Sequence, residues 1–133
     1  MIGWADDIEH ATLSNDAFRT VLHTGEDLQL TAMRLAPGED IGGEVHPEGD
    51  QFVRVEAGHA RLELSRLEDR VEETYDLDAD GAAIIPAGTW HNVVNAGAEE
   101  LKLYSLYAPP QHPAGAVHPT KADSVAAHEG HSS

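Results

Sequence analysis

Residues 37–58 read PGEDIGGEVHPEGDQFVRVEAG, and they are answered downstream by residues 81–95, GAAIIPAGTWHNVVN. In the first stretch Glu44 and His46 stand two apart, so on an extended strand both side chains leave the same face. Residues 47–50, Pro-Glu-Gly-Asp, are turn material. Gln51 then opens a second run in which Gln51, Val53 and Val55 share a face. In the second stretch His91 follows Pro86-Ala87-Gly88, a turn that ends one short strand and starts another. Three or four donors on neighbouring strands, all able to point into one barrel, is how a metal site is built on β structure.

The two stretches resemble the paired motifs of the cupin superfamily, G(x)5HxH(x)3-4E(x)6G and G(x)5PxG(x)2H(x)3N. Gly38, His46, Gly58, Pro86, Gly88, His91 and Asn95 sit at matching positions, and Gly81 is one residue closer to its Pro than the pattern asks. The motifs cover about a third of the chain, and the strand pattern extends the likeness to nearly all of it. The second motif is complete enough to stand by itself. The first departs twice, with Glu44 where the family usually has its first His and Gln51 where it usually has Glu.

The resemblance implies a metal held by Glu44, His46, Gln51 and His91, one divalent transition ion per chain. The family's usual three His and one Glu supply one negative charge, and this set supplies one too, because the carboxylate has moved from the third position to the first. Carboxylate, imidazole and amide oxygen together suit Mn, Fe, Ni or Zn. Asp50 rivals Gln51, since the motif allows a shorter spacer. Strand parity favours Gln51: an inward Asp50 would bring Arg54 and Glu56 inward, whereas an inward Gln51 brings Val53 and Val55. Taken singly, a Glu-x-His is usually surface strand, and a His after Pro-x-Gly is usually structural. It is their joint occurrence, in order and with both glycine frames, that points to a metal. The competing expectation is a barrel that has lost its metal and keeps these residues as polar pocket lining.

At 133 residues the chain is expected to form one domain. With no Cys, disulfides and thiolate metal sites are excluded. No long apolar run exists, and the opening MIGWADDIEH lacks both a basic region and an apolar core. A cytoplasmic protein with no signal peptide or membrane span is the expectation. Eight basic against 24 acidic residues give a net charge of −16. Nucleic acid and anionic membrane are therefore poor partners, because the phosphate term would be repulsive. The acidic residues are spread along the chain, which favours solubility over an acidic interaction arm.

Residues 1–16 form a lead-in, in which 8–13 has the makings of a helical turn. Residues 17–108 carry the barrel. Strands are predicted over 17–23, 28–35, 51–57, 59–67, 71–77, 82–85, 90–96 and 99–107, with Glu68-Asp69-Arg70 as a charged hairpin tip and 82–85 as a short buried strand. Many short strands broken by Gly and Pro, with little helix, give an all-β fold class: a jelly-roll barrel, the double-stranded β-helix that the resemblance also implies. The last strand is apolar on both faces, Leu101, Leu103 and Tyr107 on one and Tyr104 and Leu106 on the other. It is therefore expected to be covered on both sides, by the chain's own tail or by a homodimer partner. Residues 109–133 are a Pro-, Ala- and His-rich tail containing His112, His118, His128 and His131. Residues 111–120 are expected to pack on the barrel, 121–127 to form a helix capped by Thr120, and the final residues to be disordered. The tail lacks an HxxxH pair, so a functional metal site there is disfavoured.

Two His, one carboxylate and one amide leave one or two positions on a metal for substrate. Such an ion polarises a carbonyl, acidifies a hydroxyl or, if redox-active, binds dioxygen. The leading functional expectation is a metal-dependent small-molecule enzyme, oxidoreductase- or dioxygenase-like, with a small organic molecule in the barrel pocket. The alternatives are a non-catalytic small-ligand-binding cupin, a sugar-isomerase-like cupin, or a structural protein working through its dimer surface. Pocket walls of mostly Val, Met, Leu, Phe and Trp, with few basic residues, weigh against a sugar phosphate. No catalytic residue beyond the ligands stands out, and the fold alone does not choose a reaction.

Overall fold

Alternating burial sorts most of the chain into strands. The computed structural model describes residues 2–67 and 70–131. Its elements are α1 (Ile8–Leu13), β1 (Arg19–Thr24), β2 (Gln29–Leu35), β3 (Asp50–Ala57), β4 (Ala60–Ser65), β5 (Glu73–Leu77), β6 (Ala82–Ile85), β7 (Trp90–Asn95), β8 (Leu101–Ala108), β9 (Val117–His118) and α2 (Lys121–His131). Along β3 the residues Gln51, Val53 and Val55 are buried while Arg54 and Glu56 are only partly so. Along β4 the same holds for Ala60, Leu62 and Leu64 against Arg61 and Glu63.

The strands form two antiparallel sheets, a six-stranded one in the order β6-β3-β8-β2-β1-β9 and a three-stranded one in the order β5-β4-β7. The smaller sheet gains a further strand-like edge from residues 38–44. There Gly38 N donates to Asn95 O, Ile41 N to Val93 O, and Glu44 and His91 exchange both backbone bonds at 2.9 Å. Side chains from both sheets meet in one core that includes Met33, Leu35, Val53, Val55, Leu62, Val93, Leu101 and Leu103. Each such side chain contributes roughly 1.5–3 kcal/mol on leaving water, so this core is the main source of stability. The architecture is the all-β double-stranded β-helix that the strand pattern predicts. Among the described residues no helix is long and apolar enough to cross a membrane.

Two glycines explain how the sheets close. Gly58 turns β3 into β4 at φ +93°, and a Cβ there would sit 2.6 Å from Glu100 O. Only glycine fits both the backbone and the space. Gly43 lies beneath the Trp90 indole, where a Cβ would come within 2.6 Å of the ring.

β8 lies between β3 and β2, and its Leu101, Leu103 and Tyr107 are buried. The helix α1 also packs against β8. Asp7 caps that helix by accepting from His10 N at 3.0 Å. Trp4 and Ile8 border a shallow apolar groove completed by Leu28, Leu30, Tyr104 and Leu106. β6 departs from its expected burial: it is an edge strand paired only with β3, and Ile84 is 69% exposed while Ile85 is buried. Four apolar letters in a row conceal the fact that successive side chains face opposite ways.

The tail returns across the first strands. Gln29, fully buried, accepts from the backbone N–H groups of Gln111 and His112 at 3.0 Å each and donates to His112 O at 2.7 Å. β9 pairs with β1, bringing His118 opposite Arg19. Thr120 caps α2 in a reciprocal box with Asp123: Asp123 N donates to Thr120 Oγ1 at 3.2 Å and Thr120 N to Asp123 Oδ2 at 3.1 Å. The expected hairpin tip at Glu68 and Asp69 and the expected disorder at Ser132 and Ser133 fall outside the described residues, as do the side chains of His128 and His131.

Candidate metal centre

The paired motifs meet because their backbones bond to each other. Glu44 and His91 form an antiparallel bridge, so their side chains leave the same face as direct neighbours. Gly88 N donates to His46 O at 3.0 Å, and Ala87 N donates to the Asp50 carboxylate at 2.9 Å. Asp50 is thus exposed and occupied in holding the Pro86–Gly88 turn, while Gln51 points inward and is 3% exposed.

The side chains at this junction make an incomplete set of partners. His46 Nε2 lies 3.4 Å from Glu44 Oε2, and the His46 ring sits 5.2 Å from the His91 ring and edge-on to Tyr107 at 5.6 Å. His91 Nδ1 is 3.1 Å from the carbonyl of Thr89. A carbonyl only accepts, so in the neutral ring the proton sits on Nδ1 and the Nε2 lone pair is free. Gln51 Nε2 donates to Ser105 Oγ at 3.2 Å, which fixes the amide and leaves Oε1 buried without a hydrogen-bond partner. His46 Nε2 is also buried without a hydrogen-bond partner. Burial, with help from His91, lowers the pKa of His46 below its ordinary value, against the opposing pull of Glu44. The Tyr107 hydroxyl is pushed up to about 12 by complete burial, so it stays a neutral phenol.

The structure therefore brings Glu44, His46 and His91 together and turns Gln51 inward on β3. Their chemistry fits a divalent cation: one carboxylate, two imidazoles and an amide oxygen, with His46 Nε2 and Gln51 Oε1 buried and without a hydrogen-bond partner. The fit is not closed. Among the described residues no three His, Asp or Glu side chains stand close enough around one point to hold a metal ion. The Glu44 side chain is 28% exposed.

Beside this junction lies a cavity of about 710 Å³, bounded by residues 18–19, 41–44 and 110–113, by His118 and by the first turns of α2. Glu44 is the one candidate ligand on its wall. Gln111 and His112 join the two regions, because His112 packs edge-on against Tyr107 at 5.2 Å and Tyr107 against His46. The wall is more polar than the sequence predicts, with Arg19, His118 and Lys121 on it. Arg19 carried no sequence signal, since a single Arg at the start of a strand resembles any surface residue. Its burial follows only from the return of the tail. His59, by contrast, sits at the surface between Asp78 and Asp76, at 2.6 and 3.2 Å.

Comparison with known proteins agrees with this architecture. The chain is 51% identical over 122 residues to YrkC of Bacillus subtilis (strain 168), a match that covers 92% of this chain and 66% of that relative's length. The crystal structure of BH2720 from Bacillus halodurans superimposes with a TM-score of 0.91 at 50% identity, covering 92% of this chain and 93% of that one. A Klebsiella pneumoniae protein with a double-stranded β-helix domain superimposes with a TM-score of 0.62 at 27% identity, covering 79% of this chain and 86% of that one. The cupin domain model matches residues 31–107, the span that runs from β2 through both motifs to β8. With the motif residues, the two-sheet topology and the sequence match in agreement, the chain belongs to the cupin superfamily.

Proposed function

We propose that the protein holds one divalent transition metal (Mn, Fe, Ni or Zn) at Glu44, His46, Gln51 and His91, and that it is a metal-dependent enzyme acting on a small organic molecule. The observation that carries this reading is a pair of buried polar atoms without a hydrogen-bond partner, His46 Nε2 and Gln51 Oε1, the first of them 3.4 Å from the Glu44 carboxylate. Leaving such groups unpaired costs about 1–3 kcal/mol each, and a cation would satisfy both. Cupins often bind metals, which agrees with this donor set.

A bound ion supplies Lewis-acid polarisation of a substrate carbonyl or hydroxyl, and electron transfer where the metal is redox-active. The chain's own groups do the rest. Thr89 O holds His91 in the tautomer whose Nε2 is free, and Ser105 holds the Gln51 amide with its oxygen available. Tyr107, neutral and buried, closes the floor behind His46 and keeps water from it. Glu44 stands at the cavity edge, where it meets a substrate entering from the tail side.

Oxygen uptake and product formation are to be measured over a panel of diketones, thiols, hydroxy acids and sugars. Turnover that a chelator abolishes and a single metal restores supports an enzyme, oxidoreductase-like where oxygen is consumed. A second reading, a ligand-binding cupin without catalysis, draws on the unclosed arrangement of Glu44, His46 and His91. It expects ligand to bind equally well after chelation. The open cavity weighs against a purely structural role. We further propose a cytoplasmic homodimer that uses the apolar groove of Trp4, Ile8, Leu28, Leu30, Tyr104 and Leu106. Light scattering should give twice the chain mass, and Leu106→Glu should return it to the monomer.

A further inference from the structure

Among the described residues Arg19 and Lys102 are the buried cations of an acidic protein, and only Lys102 of the two has a carboxylate partner. Of the eight basic residues in the chain, Arg34, Arg54, Arg61, Arg66, Lys102 and Lys121 each pair with a carboxylate within 4.0 Å. Arg70 is exposed. Arg19 is 4% exposed and, among the described residues, has no ion pair. Its Nη1 donates to Ser124 Oγ at 2.5 Å, its Nη2 faces Met33 Sδ at 3.9 Å, its Cζ lies 5.5 Å from the Phe18 ring centroid, and its Nε is buried with no hydrogen-bond partner. With 24 carboxylates in the chain, a counter-ion could have been placed there at many positions. A buried charge left uncompensated is costly unless something else supplies the anion.

We propose that Arg19 is a specificity-determining residue of the cavity and that it pairs with the carboxylate of a small monoanionic organic ligand. This rests on the reading that the cavity takes a small organic molecule. A guanidinium presents paired N–H groups that match a planar carboxylate. The remaining wall sets the size of the charge. Lys121 is committed to Asp40, and the pKa of His118, opposite Arg19, is lowered by burial and by Arg19 itself, against the opposing pull of Asp123. The Glu44 carboxylate borders the same wall, so the unpaired guanidinium of Arg19, in a chain of net charge −16, suits at most a monoanion and the site repels a phosphate dianion. Phe18, Ile41 and Val125 on the same wall provide an apolar bed for the ligand's body.

The test is calorimetric titration of the full chain with benzoate, butyrate, their neutral amides benzamide and butyramide, and inorganic phosphate. Carboxylates are expected to bind at least about tenfold more tightly than the matching amides and than phosphate. Arg19→Gln should erase that preference while amide binding persists. Ser124→Asp, which sets a carboxylate beside the guanidinium, should raise the melting temperature and compete the carboxylates out. Should Arg19→Gln fail to fold, Ser124→Asp decides the matter alone. Equal binding of acids and amides, phosphate binding as tightly as benzoate, or a preference that survives either substitution overturns the role of Arg19 and leaves the cavity reading standing. Absence of binding by every probe, acids and amides alike, overturns the cavity reading and this inference with it.

Discussion

The junction of the two motifs and the wall built by the tail carry opposite deficits. At the junction, His46 Nε2 and Gln51 Oε1 are buried without a hydrogen-bond partner, the first of them 3.4 Å from the Glu44 carboxylate. On the wall, Arg19 Nε is a donor without an acceptor. On the reading proposed above the first environment suits a cation and the second an anion, and Glu44 borders the cavity wall as well as the junction. A carboxylate-bearing molecule held by Arg19 would lie beside the proposed metal, and this separates a gripping group from a reacting group within one pocket. The contrast also shows that burial alone does not define a site. Gln29 is just as buried, yet its side chain is fully bonded, to the tail and to Thr24, and acts as a structural clamp.

The comparison breaks most visibly if the two halves respond to the same substitution. Glu44→Ala should weaken metal affinity on the order of 100-fold, since it removes the only charge in the donor set. Arg19→Gln should leave metal affinity unchanged, and equilibrium dialysis checks both. A smaller effect sharpens the role of Gln51. Gln51→Leu is expected to cost roughly tenfold in metal affinity, yet to change the stability of the metal-free protein by less than about 1 kcal/mol, because it replaces a half-satisfied buried amide with an apolar group. Urea unfolding after chelation reads the second quantity.

The pH dependence separates junction from surface more finely. His46 has its folded pKa lowered from 6.5, chiefly by burial. The unfolded chain therefore binds the proton first, and the metal-free protein should lose stability as pH falls below about 6.5. His46→Gln should flatten that limb of a melting-temperature profile. His59 behaves the other way, because the Asp78 carboxylate first and Asp76 second raise its pKa above 6.5. Its contribution is present in full below 6.5 and disappears as pH rises through the folded value. The pair is exposed, so His59→Gln should move the melting temperature only slightly, and only on the acid side.

Much of the barrel was legible from residue order. The alternation of Val53 and Val55 against Arg54 and Glu56 turned Gln51 inward and Asp50 outward, and the structure has both so. The turn at Pro86 and Gly88 was legible because those residue types are demanded by its backbone. The burial of β6 was misread because a run of four apolar residues carries no period. The contact of α1 with β8 was not legible, since nothing in the residues of α1 says which sheet face they meet. The Arg19 wall was illegible for a different reason. Its partner Ser124 is 105 positions away, and only the return of the tail along β1 brings the two together.

Anomalous diffraction from crystals of the untagged protein grown with Mn or Ni is the most direct test of the metal assignment. The expected result is one strong peak per chain between Glu44, His46, Gln51 and His91, with the Glu44 side chain turned toward the imidazoles. A map with no peak there, or with its only peak at the tail histidines His112 and His118, would contradict the assignment.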